Sequence, residues 1–265
     1  MDHQPVGRTL RALLPPVVIS VAVSEAGLLL ARRLLEIEWL RPDQDVAGSY
    51  LQTVGTIYAV LLAFVVFVVW TQFNDARNYC EREANELVDL YRTAKALPEK
   101  ERRAVHDLLA SYVDQVLDRE WAAMARGNDK ELEKDWILLD DLWDVLSAYE
   151  PATSGQSANY QELLARFNDL SDTRTNRLSS ARLRIPRALH ILLYSGAVVV
   201  IASMYMFAVE KLAVHALMTG ALAGTIALVL YLVGDLDACF EGDWQVPRSP
   251  FLRVRRYIEC CRGET

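Results

Sequence analysis

The chain has 265 residues, 52% of them hydrophobic and 24% charged, with a formal net charge of −7. That acidic balance excludes nucleic acid as the main partner, because phosphate binding needs a basic surface. So apolar a chain with so many charges implies segregation into apolar and polar blocks.

The first apolar block, residues 12–31 (ALLPPVVISVAVSEAGLLLA), has Pro15 and Pro16 near its start and Glu25 inside it. Arg32 and Arg33 stand where a signal peptide would carry its small-residue cleavage site, so the block reads as a retained span. An acid within a span is costly unless paired or wetted. Glu25 therefore has two readings: a place on an ion pathway or subunit contact, or a displaced span that leaves it near the headgroups. The second block runs without a charge from residue 46 to 74. Crossing hydrocarbon takes roughly 20 helical residues, and a helix of a soluble core would show a polar stripe, so this run is read as a membrane helix.

Residues 74–187 are polar but periodic, which predicts amphipathic helices. The first continues the second span, with Ala84, Leu87, Tyr91 and Ala94 at helical spacing. Pro98 opens another, whose buried face carries Val105, Leu108, Leu109, Tyr112, Val116 and Leu117. A third holds Leu132, Trp136, Leu139, Trp143 and Leu146 and ends near Glu150-Pro151; PATSGQSAN then reads as a loop. A fourth starts at about Tyr160 and passes Leu163, Leu164, Phe167 and Leu170. The linkers of an independent soluble domain are not visible, so this region is expected to be a helical bundle continuous with the membrane helices.

Two further apolar blocks, residues 188–209 and 212–234, are divided only by Glu210-Lys211 and read as a transmembrane hairpin. Gly220 and Gly224 make a GxxxG step, which permits close helix packing either within one subunit or between two. Four spans put both termini and the middle region on one side, with Arg8, Arg11, Arg77, Arg82, Arg182, Arg184, Arg187 and the arginines of the tail. The other side carries Arg32, Arg33, Arg41 and Lys211. By the positive-inside rule the first side is cytoplasmic, in a bacterial inner membrane. The expected organisation is a tail and two spans in 1–73, a cytoplasmic helical region in 74–187, two spans in 188–234 and a cytoplasmic tail in 235–265.

No catalytic constellation appears: His3, His106, His190 and His215 are isolated, and GxSxG, Walker and HExxH motifs are absent. An enzyme, a cofactor and a metal centre are therefore not expected, and Cys80, Cys239, Cys260 and Cys261 show no metal or disulfide spacing. Arg77, Arg82, Arg182, Arg184 and Arg187 either attract anions, if symmetry repeats them in a ring, or satisfy topology and lipid headgroups. After the last span, GDLDACFEGDWQVPRSPF offers Asp235, Asp237, Glu241 and Asp243 as oxygen ligands, but matches no calcium loop and reads as a solvated turn.

Three features resemble the bestrophin-like membrane proteins of bacteria: the second span running into an acid-dotted helix, the two-plus-two order of spans around a polar helical region, and the segment after the last span. In that segment Asp237, Phe240, Gly242, Val246, Pro250 and Phe251 match the family's pattern of Asp, Phe-x-Gly, Val and Pro-Phe, with Cys239 where a proline is expected. Bestrophins are homo-oligomeric chloride channels with a hydrophobic neck on the second span. The resemblance thus implies a pore lined by that span, with Thr53, Ile57, Leu61 and Phe64 as one face at helical spacing. The overall expectation is an all-α integral membrane protein: four transmembrane helices, a cytoplasmic bundle, and self-association around a path for small anions across the bilayer. The alternative is a non-conducting scaffold or sensor whose cytoplasmic region binds a partner protein.

Overall fold

The structure, a computed structural model, describes residues 6–34, 44–127, 132 and 136–263. The expected N-terminal tail before residue 6, Arg41 in the outer loop and the residues flanking Leu132 lie outside the described residues, as does the side chain of Arg8. The elements are α1 (Val6–Leu34), α2 (Gln44–Thr93), a 3-10 turn (Ala94–Ala96), α3 (Glu99–Gln115), a π-helical turn (Val116–Glu120), α4 (Trp121–Ala125), α5 (Ile137–Ser147), α6 (Ser154–Arg182), α7 (Arg187–Met204), α8 (Leu212–Asp237) and α9 (Ser249–Gly263). No strand occurs among the described residues. Among the described residues four helices, α1, α2, α7 and α8, contain stretches long and apolar enough to cross a membrane.

The chain divides into two compact units. The first comprises Met1–Thr71 and Arg184–Asp237. Here Pro15 and Pro16 sit inside α1 rather than bounding it, as membrane helices allow when neighbours satisfy the freed backbone. α7 is shorter than its apolar run, because after Met204 the backbone tightens: Met206 and Phe207 donate to the carbonyls of Ser203 and Met204. Tyr58 of α2 packs with Ala197 and Val200 of α7 and Ile226 of α8.

The second unit comprises Gln72–Leu183 and Ala238–Thr265. Pro98 caps α3, with Glu99 and Glu101 in its positive first turn. Helix α6 starts at Ser154, not near Tyr160. Thr153 Oγ1 accepts from the Gln156 backbone at 3.2 Å and Gln156 Oε1 accepts from the Thr153 backbone at 3.2 Å, a capping box that the Ser/Gly-rich composition hid.

A charged network lies in this unit's interior. Arg177 of α6 donates through Nε and Nη2 to Glu83 of α2, at 2.6 and 3.0 Å, and through Nη2 to Glu120 at 2.6 Å. Arg174 reaches Glu120 at 2.7 Å, and the Tyr112 hydroxyl donates to Glu83 at 2.6 Å. The four charged side chains are fully buried. Glu120 closes the π-helical turn, whose wider register accommodates an inward carboxylate. Burial alone would raise the Glu120 carboxyl; the Arg177 and Arg174 guanidiniums outweigh it and hold its pKa below the ordinary value.

Arg177→Ala leaves two buried carboxylates short of a partner and should cost about 3–5 kcal/mol of stability, read by chemical unfolding in detergent. The depressed Glu120 also fixes a pH dependence. Its contribution is present above the ordinary carboxyl pKa of 4.5 and is lost as pH falls through its own lower value, a loss that Glu120→Gln should abolish.

Candidate functional site

The charge-free half of α2 is built for an apolar setting. Its threonine hydroxyls are satisfied within the helix: Thr53 and Thr56 donate to the carbonyls of Ser49 and Gln52, and Thr71 to that of Phe67, at 2.7–2.9 Å. One face is buried in the chain, through Tyr58, Val65 and Val69. The Tyr58 ring lies where a Cβ on Gly196 of α7 would stand, at 2.6 Å, so only glycine lets α7 approach and fix the rotation of α2.

The opposite face is apolar and uncovered. Ile57 is 66% and Phe64 60% exposed, with Thr53 on the same face; Leu61 sits half-buried at its edge. Val60 and Phe67 complete the stripe. Positions 53, 57, 60, 64, 67 and 71 alternate steps of four and three, the spacing of a seam between packed helices. A search in steps of four passes over Val60 and Phe67; the three-four alternation was the signal that finds them.

The GxxxG step faces α1 within the same chain. A Cβ on Gly220 would come 2.9 Å from Glu25 Oε1, and one on Gly224 would come 3.5 Å from Val21. Of the two readings of that step, packing inside one subunit is the one observed. Glu25 is half-buried there, one residue from Ser24, whose carbonyl accepts from the Tyr205 hydroxyl at 2.9 Å.

Arg77 and Arg82 are exposed on α2 and Arg182 at the end of α6, in the second unit; Arg184 and Arg187 are exposed ahead of and at the start of α7, in the first. The segment after α8 is only in part the solvated turn expected: Glu241, Gly242 and Trp244 are exposed, while the residues on either side are drawn inward. In the first unit the buried Asp237 carboxylate accepts from the Ile185 backbone N–H at 2.8 Å. In the second, Phe240, Val246, Pro250 and Phe251 are buried, and both phenyl rings meet Trp121 edge-on at 5.4 and 5.9 Å. Gly242 has φ 84°, a left-handed turn that disfavours any side chain. Val246 then donates to the Cys239 carbonyl at 2.8 Å, and the Cys239 thiol lies 3.7 Å from the Ser180 carbonyl oxygen. These residues do not fit a calcium site: Asp237 already holds Ile185, and among the described residues no three His, Cys, Asp or Glu side chains gather.

The Bestrophin-like domain model matches residues 18–251. No curated protein matches the chain. Among solved structures, a bacterial bestrophin homologue from Klebsiella pneumoniae superposes with a TM-score of 0.69 at 14% identity, over 93% of this chain and 98% of that one. A singly substituted form of it gives 0.71 at 13% identity, over 93% and 99%. A further crystal structure of a membrane protein gives 0.72 at 12% identity, over 94% and 100%. At such identities the likeness is one of fold.

If Gly196 sets the seat of α2, Gly196→Ala should lower the melting temperature in detergent, at a cost of about 1–3 kcal/mol for the forced displacement of Tyr58. Gly224→Ala, whose Cβ meets Val21 only at ordinary contact distance, should melt close to wild type.

Proposed function

The chain belongs to the Bestrophin-like family, and on that premise we propose that it is a homo-oligomeric channel for anions, with an apolar constriction on α2. Known members of the family are ion channels. The observation that carries the reading is the uncovered apolar stripe of Ile57, Val60, Phe64 and Phe67, flanked by Thr53 and Thr71. Four membrane helices of one subunit leave no room for an aqueous path, so the path lies on a symmetry axis between copies. Turned toward that axis, the stripe excludes water at rest and gates by dewetting, with Leu61 at its margin.

In this reading residues 1–73 and 188–234 form the membrane part, and 74–187 with the tail 235–265 form a cytoplasmic bundle continuous with it. Both termini face the cytoplasm of a bacterial inner membrane. Arg77, Arg82, Arg182, Arg184 and Arg187, repeated by symmetry, raise the local anion concentration at the cytoplasmic end. Glu25, seated against Gly220, belongs to helix packing in the first unit rather than to the path.

A second reading, a scaffold that binds a partner protein, is favoured by one feature: Ile137 and Trp143 are exposed on α5 beside Asp140, Asp141 and Asp144.

Halide flux into liposomes holding the purified protein separates the two. Ile57→Ala and Phe64→Ala should each raise flux several-fold over wild type, since widening an apolar constriction lowers its dewetting barrier. Absence of flux in every form, across salt, pH and calcium, would overturn the channel and leave the scaffold.

A further inference from the structure

Helix α9 is seated in the second unit by the buried apolar face of Pro250, Phe251, Val254 and Ile258, by ion pairs and, toward its end, by an aromatic node separate from the Phe251–Trp121 contact. Arg253 pairs with Glu81, Arg255 with Asp114 and Arg262 with Asp107. All three pairs are substantially exposed, and such pairs contribute little. The node is more tightly built. The imidazole of His106, on α3, lies flat on the Tyr91 ring of α2, with centroids 3.7 Å apart and planes 10° from parallel. Its Nε2 is 3.0 Å from the Tyr91 carbonyl oxygen. Tyr257 of α9 meets Tyr91 edge-on at 5.8 Å, and its hydroxyl accepts from Arg92 Nε at 3.2 Å while the Arg92 guanidinium lies over its ring.

The charges around the imidazole are mostly positive. Lys95 approaches from the 3-10 turn, Arg102 from α3 itself and Arg262 from α9. The acid of this cluster, Asp107, is already paired with Arg262; Tyr257 and Cys261 face Tyr91 from α9. In the neutral ring, Nε2–H donates to the Tyr91 carbonyl and Nδ1 carries no proton.

We propose that His106 is an acid-sensitive latch for the last turns of α9: neutral, it completes the stack that seats Tyr257; protonated, it repels Arg262 and loosens the helix end. This is independent of whether the chain conducts. The sign follows from the surroundings. Burial, and then the three cations, hold the imidazole below its ordinary pKa of 6.5, with the Tyr91 carbonyl opposing them. Of the three cations only Arg262 leaves with α9, and through that repulsion the docked helix binds fewer protons than the released one. Docking weakens as pH falls below about 6.5, and the loss is complete only beneath the lowered pKa. Stacking of the charged ring on Tyr91 recovers part of the cost, which confines the effect to the end of α9.

Hydrogen exchange of the full chain in detergent, read by mass spectrometry over residues 250–263 and normalised to intrinsic exchange rates, tests the latch at about pH 7.5 and about pH 5.5. In wild type, protection over 257–262 should fall on acidification, by up to about fivefold, the scale of one contact repulsion between unit charges in water. High salt should shrink the fall. His106→Phe keeps an aromatic ring without the proton and should show no fall; His106→Gln should show none either, and carries the comparison if the phenylalanine form does not fold. An equal fall in these variants, or no fall in wild type, overturns the proposal.

Discussion

The constraint on which the structure depends is carried by α2, one helix with two chemistries. From residue 46 to 74 it has no charge, and in hydrocarbon only a structure that satisfies its own backbone is viable. Beyond Asp75 the same helix supplies Glu83 to a buried charged network and Leu87, Leu90 and Tyr91 to an apolar core. Its rotation is fixed by packing: Tyr58 wedges against Gly196, and that choice of buried face decides which side chains are left uncovered.

The network around Arg177 has a different logic from the apolar core. Desolvating two carboxylates and two guanidiniums is expensive, and a well-packed apolar replacement is often as stable. Charge partnering at 2.6–2.7 Å offsets the penalty only while every member is in place. The consequence is specificity of register. α6 presents Arg174 and Arg177 one turn apart, and the π-helical turn delivers Glu120 between them. A slip of either helix by one residue would bury an unpaired charge.

Much of the helical architecture is legible in the sequence, because hydropathy and length alone define lipid-crossing helices. The apolar runs at 12–31, 46–74 and 212–234, and the run at 188–209 as far as Met204, fall on helices apolar enough to span, and Pro98 opens α3. What stayed hidden depends on contacts distant in the chain. Glu83, Glu120, Arg174 and Arg177 look like solvated charges in a polar region; their burial follows from the meeting of α2, α6 and the π-helical turn, which no local pattern encodes. The segment after α8 misleads for the same reason: its acids suggest solvent, while Phe240 and Phe251 are drawn inward by Trp121, well over 100 positions earlier. In α2, periodicity lists four candidate side chains, but only Tyr58 against Gly196 determines that Ile57 and Phe64 face outward while Leu61 turns toward the edge.

An apolar stripe left open on a membrane helix is explained by lipid or by another copy of the chain, and the channel reading proposed above rests on the second. The most direct measurement is cross-linking of a single cysteine at the centre of that stripe. Phe64→Cys, with the exposed Cys260 and the half-buried Cys261 replaced by serine, would be treated in native membranes with a short membrane-permeant dimaleimide. The channel account predicts covalent species of two or more subunits, because symmetry brings copies of position 64 together around an axis. A reagent that labels the cysteine fully yet leaves the protein strictly monomeric would contradict it.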